Sequence, residues 1–139
     1  MEVTNKMKHK ETIGFAIRSL DNLITRKMFA YAAQNGVDKL TVMHGWIIGY
    51  LYDNLEKEIF QKDIETQFSI GRSTVTGILK LMEKKGYIIR ESVSYDARLK
   101  KLVLTELGKE INKKTRDSID TMDKEITSCF TKEETEETE

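Results

Sequence analysis

Between residues 13 and 33 the apolar positions are Ile13, Ala16, Ile17, Leu20, Leu23, Ile24, Met28, Tyr31 and Ala32. Steps of three and four mark one stripe of a long helix. Asn35-Gly36 ends it, because glycine accepts the left-handed conformation that closes a helix. A second helix is expected after Thr41, read as its N-cap, with Val42, Trp46, Ile47, Tyr50 and Leu51 spread over the wide apolar face of a core helix. The polar run 53–58 follows it.

Shorter elements come next, each with its own boundary signal. A short helix reads over 61–67, with Ile64 and Phe68 facing inward, and the turn Ser69-Ile70-Gly71 follows. Residues 72–85 then place Val75, Ile78, Leu79 and Met82 at the spacing of one buried face. Gly71 serves as N-cap, Ile70 and Val75 hold the two positions of a hydrophobic staple, and Gly86 closes the helix after Lys84-Lys85. Two short helices joined by a three-residue turn form a helix-turn-helix, whose second helix is the one offered to a major groove. Residues 87–91 and 102–104 read as an antiparallel hairpin. Its connection, 92–101, reads as long and polar. Thr105 caps a last helix whose stripe is Leu107, Ile111, Ile119, Met122 and Ile126, with Thr115 as a polar interruption. The tail 131–139 is an acidic Glu/Thr segment that reads as disordered or loosely helical.

The expected class is therefore mainly α (α+β), one domain over 1–139. A winged helix-turn-helix core (41–104), with a two-stranded β-hairpin wing, is flanked by long helices over 10–35 and 105–130. For so short a chain, two long striped helices exceed what one small core would cover. The economical solution is a two-fold homodimer through these helices, and the alternative is a monomer in which they close the core.

Charge changes the picture once it is divided along the chain. The 23 basic and 23 acidic residues cancel overall, but residues 57–116 carry 14 basic and 8 acidic groups and residues 117–139 carry 2 and 9. On charge alone, the basic centre is equally well a phosphate-binding surface or a solvated helical face. The single Cys129 excludes an internal disulfide framework and a four-thiolate zinc site. No apolar run approaches the roughly 18 residues of a membrane span. Residues 1–11 lack the apolar core of a secretory leader, so a cytoplasmic setting is expected, with no membrane partner. A Gly-rich phosphate loop, a His-x-x-x-His, a Cys-x-x-Cys and a plausibly placed Ser-His-Asp set are all missing, so no enzyme and no cofactor is expected. His9 and His44 are scattered and read as ordinary residues, with no metal site.

The segment 61–108 resembles the DNA-binding core of the MarR family of bacterial transcriptional regulators. The resemblance is carried by Gln61-Lys62-Asp63-Ile64, by the run from Arg72-Ser73-Thr74-Val75-Thr76-Gly77-Ile78-Leu79-Lys80 through Gly86-Tyr87-Ile88, by Asp96-Ala97-Arg98, and by Leu102-Val103-Leu104-Thr105-Glu106-Leu107-Gly108. It implies a dimeric winged-helix repressor or activator, binding a pseudo-palindromic duplex and released by a small ligand or an oxidant. By position it makes Gln61, Arg72, Ser73, Thr74, Thr76, Gly77 and Lys80 DNA-binding candidates. Hydroxyl residues let a helix approach the groove closely, and arginine offers a bidentate fork to guanine or phosphate. Without the resemblance, Ser73, Thr74 and Thr76 are equally well residues of the first turns satisfying backbone groups. Gly77 stands where many members have a long basic residue, and would permit close backbone approach. Arg98 resembles the wing arginine that enters the minor groove, with Asp96 holding its direction and Lys100 and Lys101 contacting phosphates.

The same resemblance places an effector pocket between the outer helices and the core, with Phe29, His44, Trp46 and Tyr50 as candidates to line it; at helical spacing they read first as core residues. Cys129 is set aside as a redox sensor, because neighbouring carboxylates disfavour a thiolate. After a segment like 130–134, members commonly continue into a further apolar helix; here the sequence reads Thr135-Glu136-Glu137-Thr138-Glu139. Two alternatives stay open: a winged-helix protein-interaction module, and a metal- or oxidant-responsive variant of the same fold.

Overall fold

The computed structural model describes residues 12–128. His9, Cys129 and the tail 131–139 lie outside these residues. Helix α1 spans Ile13–Gln34, α2 Lys39–Asp53, α3 Gln61–Phe68 and α4 Arg72–Lys84; strands β1 (Ile88–Val93) and β2 (Asp96–Leu104) form an antiparallel hairpin, and α5 spans Glu106–Thr127. Among the described residues, no helix is long and apolar enough to cross a membrane.

The four predicted apolar positions of α4 are all buried, and the core forms behind them. Its most enclosed side chains are Ile47 and Ile48 of α2, Ile64 of α3, Val75 and Leu79 of α4, and Ile88 of β1. Ile64 and Val75 lie on consecutive helices, so burying them fixes the angle of the helix-turn-helix. Between these helices Ser69 takes a left-handed conformation at φ 52°.

Three boundaries differ from the sequence expectation. The N-cap of α2 is Asp38, whose carboxylate accepts from the Thr41 backbone N–H at 2.8 Å. Thr41 lies inside the first turn, buried, its hydroxyl 3.3 Å from that of Tyr87. Both residue types cap well, and the tertiary partner of Thr41 draws it inward. The wing is also longer than expected. Residues 96–101 are strand rather than loop, and only Ser94-Tyr95 connects β1 to β2, next to an irregularity at Ser92/Val93. A ribbon wet on both faces needs no hydrophobic alternation, so its strands carried no period-two signal. Ile59 adds a single antiparallel bridge to Leu102, whose N–H donates to the Ile59 carbonyl at 2.7 Å.

Helix α5 packs on α1 and α2 through a face more polar than its expected stripe. Ile111 and Met122 are buried as expected, but so are Gly108, Asn112 and Ser118, whereas Leu107 and Ile119 are exposed. Gly45 and Gly49 of α2 let α5 come close at Thr115 and Asn112. Glu125 accepts hydrogen bonds from Lys27 and Tyr31, tying the end of α5 to α1. Only Ala32 of α1 is buried.

Recognition helix, wing and α5 meet at one junction. The Thr105 hydroxyl donates to the Gly86 carbonyl at 2.6 Å and its backbone N–H to the Tyr87 carbonyl at 3.0 Å; the same hydroxyl accepts from Gly108 N–H at 3.0 Å. A Cβ on Gly108 would stand 2.3 Å from the Tyr87 carbonyl oxygen and 2.6 Å from Leu104 Cδ1. Gly108→Ala is therefore expected to lower unfolding free energy by about 3 kcal/mol, the upper range for overpacking. Urea denaturation of the two proteins checks this.

Candidate nucleic-acid interface

Burial of one face of α4 turns the opposite face outward. Arg72, Ser73, Thr74, Gly77, Lys80 and Lys84 are exposed. Ser73, Gly77, Lys80 and Lys84 follow one another at steps of four, three and four, forming the ridge a groove would meet. The Ser73 and Thr74 hydroxyls have no hydrogen-bond partner among the described residues, so neither satisfies a backbone group. A Cβ at Gly77 would meet nothing within 4 Å. No internal packing demands glycine there.

Gln61 and Thr76 have an internal task. The Gln61 amide donates to Thr76 Oγ1 at 2.8 Å and to Glu65 Oε1 at 3.1 Å, while Thr76 donates to the Arg72 carbonyl at 2.8 Å. This chain fastens the start of α3 to the first turn of α4.

The wing stands beside that turn. Arg98 is 91% exposed in its side chain, and Asp96 Oδ1 accepts from both its backbone N–H at 2.9 Å and its Nε at 3.3 Å. So exposed a pair adds little stability; its effect is to set the direction of the arginine. Lys100 donates to Ser92 Oγ at 2.6 Å. Lys101, one residue on, points to the other side of the ribbon and pairs with Glu91 at 3.7 Å. Tyr95 at the tip donates to Glu58 at 2.8 Å.

Arg72, Arg98 and Lys100 share one open cleft with Gln61, and the cleft is completed by Lys62, Glu65 and Arg90 among others. Its charged lining is five basic groups against one carboxylate. Lys62 and Arg90 were not singled out in the sequence. Lys62 adjoins Gln61 and was within reach of pattern reading. Arg90 lies in a strand where nothing local marks its face, and its 3.1 Å pair with Glu83 appears only on folding.

The four pocket candidates do not converge. Trp46 and Tyr50 meet on Phe68, with ring centroids 4.1 and 5.6 Å away. Phe29 packs against the core with Lys39 5.5 Å above its ring. His44 faces Leu81, Met82 and Tyr87 around a space far too small for a ligand, and burial lowers its pKa.

Lys85, at the C-cap of α4, hydrogen-bonds Asp38 and lies 5.9 Å from the Tyr87 ring centroid. This fastens the recognition helix to the turn after α1. The bonds from Lys85 and then Thr41 hold the Asp38 carboxyl down to about 2. A depressed carboxyl stabilises the fold above its unfolded value, about 4, and loses that contribution as pH falls through about 2. Asp38→Ala should cost about 1 kcal/mol at neutral pH, the typical value of a lost cap. It should also flatten the stability profile across that acid window, as denaturation at a series of pH values will show.

Residues 38–99 match the profile of the MarR family. The heme sensor protein PefR from Streptococcus agalactiae, solved in complex with heme, is 29% identical; the alignment covers 92% of this chain and 87% of that one, with TM-score 0.75. The transcription regulator MarR from Oenococcus oeni PSU-1 is also 29% identical over 89% and 90% of the two chains, TM-score 0.67. MepR from Staphylococcus aureus, solved in complex with DNA, has the same fold at 24% identity, with 91% and 90% covered and TM-score 0.77. No protein of curated function matches the sequence.

Proposed function

We propose that the chain, whose residues 38–99 match the MarR family, is a cytoplasmic transcriptional repressor of that family. It binds a pseudo-palindromic operator as a homodimer, is released by a small ligand, and catalyses no reaction. The observation that carries this reading is the shared cleft, where the first turn of the recognition helix and the tip-side residues of the wing present Arg72, Arg98 and Lys100 together. A phosphate backbone running between helix and wing would meet all three at once. Ser73, Thr74, Gly77 and Lys80 form the base-reading ridge, and Gln61 and Thr76 position it. MepR, which has the same fold, was solved in complex with DNA, which supports duplex DNA as the partner.

Arg98 enters the minor groove in this reading. On an inverted repeat selected from a random duplex library, Arg98→Ala should weaken binding about tenfold and reduce the slope of affinity against salt by about one counterion. Unchanged affinity and slope in a filter-binding series would remove the wing from the interface.

Dimerisation is read from α1. Ile13, Ile17, Leu20 and Leu23 are 78%, 63%, 58% and 51% exposed, all on one side of the helix. Such a contiguous apolar stripe calls for a covering surface. A second copy is the symmetric solution, and it sets two recognition helices about one helical turn of DNA apart. The protein should therefore have twice its 16.1 kDa chain mass in solution. Ile17→Glu with Leu20→Glu should give the monomer mass and lose operator affinity, as sedimentation and gel-shift measurements will report.

A further inference from the structure

Gly77 is a glycine that the fold does not need. It is the sixth of the thirteen residues of α4, an interior position where glycine is less stable than alanine. The backbone does not demand it, since among the described residues the positive-φ glycines are Gly36 and Gly86. Packing does not demand it either, because an added Cβ would meet nothing within 4 Å. Its open side lies on the exposed ridge of Ser73, Gly77, Lys80 and Lys84, the face offered to a duplex. Glycine at such a position lets another molecule approach the backbone closely.

The chemistry of the gap limits what can enter it. Helical side chains lean toward the N-terminus, so the missing one bares the turn beside Ser73 and Thr74. The floor there is helix backbone, whose N–H and C=O groups are already bonded along the helix. It presents C–H surface without a spare donor or acceptor. Ser73 and Lys80 bring a hydroxyl and an ammonium group to the ridge, whereas Gly77 is the ridge position with no hydrogen-bonding side chain. Guanine, adenine and cytosine turn N7, O6 and amino groups toward the major groove, and these would lose water against such a floor and gain no partner. The 5-methyl group of a pyrimidine is the apolar projection of that groove and needs only contact.

The helix is braced at the same place. Thr76 donates to the Arg72 carbonyl and accepts from the Gln61 amide of α3, each at 2.8 Å. These bonds hold the turn that the gap bares, so its shape does not depend on a side chain at 77.

We propose that Gly77 determines specificity, as a notch in the recognition helix that receives the 5-methyl group of one pyrimidine in each half-site. The proposal deepens the DNA-binding reading and rests on it. Thymine and 5-methylcytosine both carry this group, and the substituted duplexes tell them apart.

The test uses the full chain and the inverted repeat enriched from an unmethylated random duplex library. Thymine is replaced by deoxyuridine, or cytosine by 5-methylcytosine, at one position of each half-site at a time. Wild type should bind the duplex with the methyl group about fourfold more tightly per half-site than the one without it, the worth of one buried methyl. Loss on replacing a thymine identifies thymine as the base read; gain on methylating a cytosine identifies 5-methylcytosine. Gly77→Ala fills the gap with its own methyl. It should melt at the same temperature or higher, keep the wild-type salt slope, and bind the two duplexes alike at that position. Equal wild-type affinity with and without the methyl group at every pyrimidine would overturn the notch, and so would a methyl preference that persists unchanged in Gly77→Ala. Both results leave duplex binding itself standing. A protein that binds no duplex at all removes the DNA-binding reading and the notch with it.

Discussion

Gly108 lies so close to the Tyr87 carbonyl that a methyl group there would stand 2.3 Å from the oxygen. This contact, with the three hydrogen bonds of Thr105, gathers the end of the recognition helix, the start of β1, the end of β2 and the first turn of α5 into one knot. The return strand of the wing is fixed here as well as at Ile59, and glycine at 108 admits the Tyr87 carbonyl as α5 leads away toward α1. Gly86, at φ 76°, provides the change of direction that lets Tyr87 enter the knot at all.

The helices were legible because each buries one face and leaves the other wet. Periodicity reports that contrast directly, and the four apolar positions of α4 could be named from it. Where an element is wet on both sides, as in residues 96–101, the signal vanishes and the strand reads as loop. On α5 polar residues go inside, Asn112 against Gly49 and Ser118 beside Asn35, and the apolar stripe misleads. Asp38 and Thr41 show a third limit. Local chemistry offers two good caps, and a contact 46 residues away decides between them.

The candidate interface divides along similar lines. The exposed ridge of α4 follows from knowing its buried face, so Arg72, Ser73, Thr74 and Lys80 were accessible to pattern reading. Gln61 and Thr76 are bound to each other across two helices, and sequence spacing could not reveal this internal use. Lys100 and Lys101 look equivalent as letters, yet strand alternation puts one in the basic cleft and the other against Glu91. Phe29, His44, Trp46 and Tyr50 share a ring rather than one location, which only the fold assigns: Trp46 and Tyr50 meet on Phe68, and the other two lie elsewhere.

The wing is anchored at both ends. Leu102 is bonded to Ile59 near its base, and Tyr95 reaches Glu58 from its tip. A ribbon restrained in this way has few conformations left to surrender when it meets another surface, so the entropic penalty of ordering it has been met during folding. Its arginine then acts as a rigid gauge: a groove of the right width admits it, and a wider one leaves it in water with little electrostatic return.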